Sequence, residues 1–590
     1  MKNISYEIPK RNKEIFLYPA LDRIPSLVQE NKLKMNGYRL EINSIPFQAL
    51  RDKTREELLR KAVQYTNGIK SFLREQGRHG QPPLIPINKG GHRGLSMPPL
   101  NSQLSIEISQ HQDELHVKGQ SLNYESIKNI PIIQTGHEPI LYHPGVWIKN
   151  HLAHYLVKKL GGIGVNMIVD NDACNMGFMY VPILSEKSAS VGKVALVRNK
   201  DLVAYEEIVF DDFGSILQFK EEIIDLLSKN EFREDVKTIM EDMQGMFEQF
   251  INRIGDYYQQ GCRDMVGLLT AVRRSLEEGF GIENLEVPVS WMCDTDGFYH
   301  FLLHVLYDAG RFAKIYNEKL AGYRSIHKIR SKANPLPDLK VLENLIEIPF
   351  WIWKAGGQRT KCYIVNEGED IKITDGVDIL VILKKSEGAT KNISRLKTLM
   401  DAGIKIRPRA ITTTMFSRLF FSDVFIHGIG GAKYDTITDE IIKEFFGIDP
   451  PGFVTISATL FLPLEAYDLD ESALYDSQRI IDDMRYNPER YASKETQSEP
   501  KFINRVEEKQ RLLKMMGVGN ANEKRRYFNR VKELNKLMLS QIHIELQKKQ
   551  RETNTIRDKL VYNEVVRFRE YPVCLYPRKV LRDYLFNIFS

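Results

Sequence analysis

The sequence predicts an α/β protein: a largely parallel sheet, a helical insertion and a helical C-terminal arm. Three observations predict it. Residues 131–169 read as strand, helix, strand within about forty residues, a βαβ unit that implies a right-handed crossover and a parallel sheet. Residues 211–285 carry long helical patterns such as Phe219-Lys-Glu-Glu-Ile-Ile-Asp-Leu-Leu. Residues 501–590 combine helical spacing with 21 Lys+Arg against 10 Asp+Glu, a local net of +11 that leaves the remainder at −5.

In the first unit, Ile132-Ile-Gln-Thr is short, apolar and β-branched, as a strand requires. Val146, Ile148, Leu152, Tyr155 and Leu156 fall near one side of a helix that Gly161-Gly-Ile-Gly ends. Val165-Asn-Met-Ile-Val169 is the second strand. Strand-like runs return at Glu286–Ser290, Lys361–Val365, Val377–Leu383, Val424–His427 and Gly452–Ser457, alternating with helices as in an open sheet. Asp52–Val63 reads as an amphipathic helix, and Gln81–Gly94, rich in Pro and Gly, as a loop. From Glu523 to Val566 one long helix is expected. In it Tyr527, Val531, Leu534, Met538, Ile542 and Leu546 form a coiled-coil-like seam. The expected divisions are an N-terminal mixed α/β extension (1–125), a first half of the core (126–210), a helical insertion (211–285), a second half (286–500) and the basic arm (501–590).

Composition narrows the class. The chain has 590 residues, 42% of them hydrophobic, and a net charge of +6, too small for this length to imply a nucleic-acid partner by itself. The five cysteines form no C-x-x-C pair, so neither a disulfide framework nor a zinc site is expected. The N-terminus lacks the apolar core of a signal peptide, and no run of about 18 apolar residues occurs. A cytoplasmic protein with no membrane partner is the expectation.

Two regions carry chemistry. The first is Gly136-His137-Glu138-Pro139-Ile140-Leu141-Tyr142-His143-Pro144-Gly145. Gly136 suits a sharp turn out of a strand, and Pro144 the first turn of a helix. That helix would point free N–H groups and a positive dipole end at the loop, a place for a phosphate or carboxylate. His137 and His143 lie at the loop's two ends, and Lys149 about one turn into the helix. The alternative is a rigid turn with two surface histidines. After the next strand, Asp170, Asn171 and Asp172 could hold a ribose or an amine, or cap the following helix. One carboxylate pair is a thin basis for a metal, and no metal ligands are assigned. The second region is Arg407-Pro408-Arg409, then His427-Gly-Ile-Gly-Gly-Ala-Lys-Tyr-Asp435. Gly428, Gly430 and Gly431 would let backbone N–H groups approach a phosphate, with Tyr434 and Asp435 at the helix start. The spacing is neither G-x-G-x-x-G nor a Walker P-loop. Arg407 and Arg409 could fork onto a carboxylate or phosphate.

Together these stretches resemble the bacillithiol-biosynthesis cysteine-adding enzymes. The 136–145 stretch is similar to that family's His-Gln-Pro-like turn with a Gly-Pro pair before a helix. Asp170-Asn171-Asp172 looks like its acidic cluster, and Arg407-Pro408 like its Leu-Arg-Pro segment. Gly428 to Tyr434, with Phe446-Gly447 and Ser457-Ala-Thr-Leu460 beyond, is similar to its Gly-Gly-x-x-Glu-x-x-Tyr region. The resemblance runs over about residues 130–570 on short motifs, with departures. Glu138 stands where the family tends to have Gln, and Lys433-Tyr434-Asp435 where it has a Glu. Glu347–Lys354 has no counterpart; its Trp351 and Trp353 could stack on a ligand, and core packing is the favoured reading. A divergent relative is the reading.

The resemblance implies a Rossmann-like core, a coiled-coil arm and a homodimer formed through it. It also implies ATP or ADP as cofactor, with magnesium left open. The expected activity is ligase-like or nucleotidyltransferase-like, on a small-molecule substrate of low-molecular-weight thiol biosynthesis. In it His137, His143 and Lys149 would act on phosphate oxygens. Gly136, Glu138, Asp170, Asn171, Asp172, Arg407 and Arg409 would hold substrate. Gly428, Gly430, Gly431, Tyr434 and Asp435 would hold the cofactor. The rivals are a non-catalytic nucleotide-binding assembly protein and an RNA-binding protein using the basic arm.

Overall fold

The computed structural model describes residues 6–74, 115–117, 120–122, 124–174, 177–185, 188–198, 203–228, 234–331, 333–586 and 588–589. The loop expected at 81–94 lies outside them. Strand β1 (Ile15–Tyr18) leads into α1 (Ile24–Gly37) and α2 (Phe47–Arg74). The βαβ unit is β2 (Ile132–His137), α3 (Pro144–Leu160) and β3 (Ile163–Ile168). A hairpin, β4 (Phe178–Ser185) and β5 (Ser188–Ala195), precedes the helices α4 (Gly214–Ser228), α5 (Glu234–Gln259) and α6 (Met265–Glu278). Then come β6 (Leu285–Pro288), α7 (Asp296–Tyr307), α8 (Ala309–Ile326), β7 (Leu345–Lys354), β8 (Thr360–Glu367), β9 (Asp370–Thr374) and β10 (Ile379–Lys384). Next are α9 (Gly388–Asp401), β11 (Ile404–Pro408), α10 (Ala410–Phe416), β12 (Val424–His427), α11 (Ile429–Phe445) and β13 (Val454–Ala458). The arm is α12 (Glu471–Tyr486), α13 (Pro500–Val518), α14 (Ala521–Gln541) and α15 (His543–Val566).

Strands β13, β12, β2, β3 and β6 lie side by side in that order and run parallel. Read from the β6 edge and numbered along the chain, the five stand as third, second, first, fourth, fifth. β1 adds an antiparallel edge beside β13, so the N-terminal segment completes the sheet. Both faces are covered, which is why these strands read as nearly unbroken apolar runs. Ile133, Val424 and Ile456 share one core with α3, α4, α5 and α6; Ile132, Val165 and Val287 share the other with α2, α7, α8 and α11.

The sequence pattern places Lys361–Val365 and Val377–Leu383 in the parallel sheet. They belong instead to a second, antiparallel sheet of β7, β8, β9 and β10, with β11 on the far side of β7. The turns decide this. Gly356, Gly368 and Gly376 take left-handed backbone angles in the short connections, and connections this short cannot cross over to a parallel neighbour.

The helix expected over Glu523–Val566 is two helices that break at Ile542. An Asn520–Glu523 capping box starts α14. Leu534, Met538 and Ile542 pack with Met484 and Phe502 of this same chain, so the seam is covered by its own helices. Beyond the break α15 turns back, and Tyr562, Val565 and Val566 join the main core. Among the described residues no helix is long and apolar enough to cross a membrane.

One buried ion cluster ties the sheet to α2. Asp423, just before β12, accepts from Arg51 Nη2 at 3.0 Å and Arg55 Nη1 at 3.2 Å. Its Oδ2 also accepts from the backbone N–H of Ile132, the first residue of β2, at 2.8 Å. The arginines spend further donors on the carbonyls of Leu419, Ser422, Phe421 and Ile130. All three side chains are 3% exposed or less. Asp423→Ala leaves two buried guanidinium groups without their carboxylate. It is expected to cost about 3–5 kcal/mol in urea unfolding; a loss under about 1 kcal/mol would show that the carbonyls alone hold the arginines.

Candidate functional site

The chain reverses direction across the sheet between β2 and β12, and a crevice opens at the C-terminal ends of those two strands. It encloses about 350 Å³. Gly136, His137, His143, Lys149, Asn171, Asp172, Arg409, Gly428, Gly430 and Gly431 all line it, so the two sequence-separated regions meet there. Glu138, Asp170, Arg407, Tyr434 and Asp435 do not line it.

The α3 wall differs from the sequence expectation. Gly136 makes no turn: it lies inside β2, opposite Met167, and a Cβ there would sit 2.8 Å from the Met167 carbonyl oxygen. Close strand approach, rather than a left-handed backbone, is what demands glycine. The first turn of α3 has no N–H to spare. His143 is its N-cap, and Nδ1 accepts from Gly145 N–H at 3.1 Å. The N–H groups of Val146 and Trp147 go to the His143 carbonyl, and Pro144 has none. Burial, reinforced by Arg569 and Lys149, pushes His143 down to about 3. Burial, with Lys149 and His143, also holds His137 well below the usual range. Both imidazoles are therefore neutral near pH 7 and act as neutral hydrogen-bonding groups. Lys149 donates to the Gly136 carbonyl at 2.6 Å, and burial lowers its ammonium to about 7 against the pull of Glu138.

The α11 wall keeps its donors. Gly428 caps the helix without a side-chain bond, and Ala432 N–H returns to the Gly428 carbonyl. The N–H groups of Ile429, Gly430 and Gly431 have no acceptor among the described residues. A Cβ on Gly428 or Gly430 would meet nothing within 4 Å, so these glycines keep the approach to those N–H groups open. Arg409 stands nearby. It gives Nη1 to Glu347 at 2.8 Å, while Nε and Nη2 are buried without a partner.

Most of the remaining expected residues are engaged within the chain. Arg407 is held by Glu206 through Nε at 2.9 Å and Nη2 at 3.0 Å, so its fork is already filled. Asp170 accepts from Ser290 N–H at 3.0 Å, and burial beside Glu206 lifts it to about 7. Asn171 gives Nδ2 to the Pro408 carbonyl, joining the two sheets, and leaves Oδ1 unpartnered. Asp172 pairs with Arg359 at 3.0 Å. Glu138 accepts from Tyr205 Oη at 3.2 Å, and burial, then Asp172, raise its carboxyl. Tyr434 is half-buried on α11, away from the crevice. Asp435 is buried and accepts from Arg418 at 2.8 Å and Thr414 at 2.7 Å. Against burial, His427 and Arg418 hold its carboxyl well below the usual range.

Sequence reasoning missed three contributors. His427 lines the crevice with Nε2 2.6 Å from Asp435, which leaves Nδ1 beside Gly431. The signal was present: a histidine ending a strand directly before a glycine turn. Trp351 also lines the crevice, but Arg409 and Arg359 lie 4.2 and 4.6 Å over its ring. Arg569, from the turn after α15, carries no local signal. Trp353 is core, with Nε1 donating to Glu207. Among the described residues no group of three or more His, Cys, Asp or Glu is arranged to hold a metal ion.

No known protein family matches the chain, and no curated protein matches it in sequence. The site's chemistry therefore rests on its own geometry.

His143→Ala removes the cap of α3 and is expected to cost about 1 kcal/mol in chemical unfolding, with His143→Asn restoring most of it. Equal losses in both variants would overturn the capping role.

Proposed function

We propose that this protein is an enzyme with a Rossmann-like core that binds a nucleoside polyphosphate, ATP or ADP, in the crevice and uses it in a ligase-like or nucleotidyl-transfer reaction. The observation that carries this reading is the set of unpaired N–H groups at Ile429, Gly430 and Gly431, at the point where the strand order reverses. The third-second-first-fourth-fifth order is that of doubly wound nucleotide-binding sheets. In this reading phosphate oxygens take the α11 N–H groups, and the free Nε and Nη2 of Arg409 complete the charge-assisted contacts. Asn171 Oδ1 accepts from a ribose hydroxyl or an amine. Asp435 holds His427 with Nε2 toward the carboxylate, so Nδ1 faces the glycine turn.

The resemblance to bacillithiol-pathway cysteine-adding enzymes supports carbon–nitrogen bond formation on a small molecule, and no substrate beyond that class is proposed. The seam Tyr527–Ile542 is used inside the chain, so a homodimer through the arm would use other faces of it. The +11 arm favours a second reading, RNA binding, whose mark is an affinity that falls steeply with salt and disappears on deleting 501–590.

Calorimetric titration with ATP and ADP tests the first reading. Gly430→Val fills the approach to the α11 N–H groups and is expected to weaken binding by roughly tenfold or more. Nucleotide binding that this variant leaves unchanged would remove the phosphates from the glycine turn. Lys149 adds a pH signature. Its folded pKa is depressed, so the penalty of burying its charge is present below about pH 7 and is relieved as pH rises from there toward its unfolded value. An anion in the crevice opposes that shift. Binding of an anion against Lys149 at pH 8 is therefore expected to take up close to one proton, and at pH 6 almost none, read from buffers of different ionisation enthalpy. Lys149→Met should abolish the uptake; uptake that persists in this variant would assign the proton elsewhere.

A further inference from the structure

Helices α3 and α11 pack on opposite faces of the sheet, so their starts form opposite walls of the crevice. The nucleotide reading uses the α11 wall. The α3 wall holds a separate set of donors. Arg569 lies against the start of α3, so closely that a Cβ on Gly145 would come within 2.5 Å of its Nη2. Among the described residues its hydrogen bonds go only to neutral oxygens, Ser457 Oγ at 3.3 Å and the Ala458 carbonyl at 3.0 Å, and Nε is buried without a partner. These contacts fix the guanidinium at the end of β13 without neutralising it. Lys149, 3% exposed, reaches the same wall and likewise bonds only a carbonyl, that of Gly136. His143 accepts with Nδ1, so its neutral ring carries the proton on Nε2 and is a donor there. The carboxylate acting on Lys149 is that of Glu138, which is engaged by Tyr205. A half-buried arginine and a buried amine, neither in contact with a carboxylate, leave this wall short of negative charge, and a bound anion supplies it.

We propose that Arg569, Lys149 and His143 form a second anion subsite, across the crevice from the glycine turn, that takes the carboxylate or phosphate of the second substrate. The subsite rests on the reading of the crevice as a two-substrate site, with nucleotide phosphates on the α11 wall. It also assigns the C-terminal turn a role in binding: α15 returns from the arm and delivers Arg569 to the crevice.

The test titrates inorganic phosphate and, separately, acetate into the full chain, with and without saturating ADP. Wild type, Arg569→Met, Arg569→Lys and Gly430→Val are compared, with melting temperatures for each. Wild type is expected to bind phosphate in the presence of ADP. Arg569→Met should weaken that binding by roughly tenfold to a hundredfold while ADP affinity changes by less than about threefold. Arg569→Lys should retain part of it, and Gly430→Val should leave it and lose ADP instead. Acetate following the same pattern assigns the subsite to a carboxylate; phosphate alone assigns it to a phosphoryl group. Phosphate affinity unchanged in Arg569→Met, equal loss in Arg569→Met and a melting-matched Gly430→Val, or no binding of either anion to wild type overturns the subsite. ADP that fails to bind, with Arg569-dependent phosphate binding intact, overturns the nucleotide reading and leaves the subsite standing.

Discussion

The carboxylate of Asp423 is the constraint on which the rest of the structure depends. It sits at the start of β12 and accepts from the first N–H of β2, so one buried side chain sets these two strands level. Those are the strands between which the sheet reverses its winding. Arg51 and Arg55 bring α2 onto the same carboxylate and tie off the carbonyls around it. Two buried cations and one anion are stable there only because almost every remaining donor meets a carbonyl, and that makes the node geometrically demanding. Its consequence appears at the other end of the strands. With β2 and β12 held in register, His427 ends one residue short of His137, and the helices that follow lie on opposite faces of the sheet.

Those two helices begin under different rules. α3 starts with a side-chain cap and a proline, so its first-turn donors are consumed within the chain. α11 starts with glycines and no cap, so its donors remain. The same local feature, a helix start at a strand end, therefore gives a closed wall on one side and a hydrogen-bonding wall on the other. Charge on the closed wall comes from side chains instead, and those are held by neutral oxygens. Removing water from Lys149, His137 and His143 favours their uncharged forms, and an entering anion reverses that preference at Lys149 first, because its pKa of about 7 lies closest to neutrality.

The crevice is assembled from distant parts. The second sheet contributes Trp351 and Arg409, locked together by ring and guanidinium stacking, and reaches the first through Asn171 and the Pro408 carbonyl. Arg359 also lies over the Trp351 ring and pairs with Asp172. The arm folds on its own core around Met538 and then returns the chain through α15 to place Arg569.

By itself the sequence determined the βαβ unit, the helical insertion, the strand-to-glycine turn at 428–431 and ten of the residues that line the crevice. Each of these is written in local terms: apolar runs of strand length, 3.6-residue spacing, and glycine or proline where backbone geometry or a missing N–H matters. Tertiary structure alone decided that residues 345–408 form their own antiparallel sheet, because strand direction follows the reach of the connections. It decided that Gly136 is a strand contact rather than a turn, since only the neighbouring Met167 carbonyl shows why a Cβ is excluded. It also decided which cations stay available. Arg407 and Arg409 are two residues apart and look equivalent along the chain. Glu206 closes the fork of one, Glu347 takes a single arm of the other, and neither acid is near them in sequence. Ion pairing is settled by which carboxylate arrives in space, and no spacing rule carries that information.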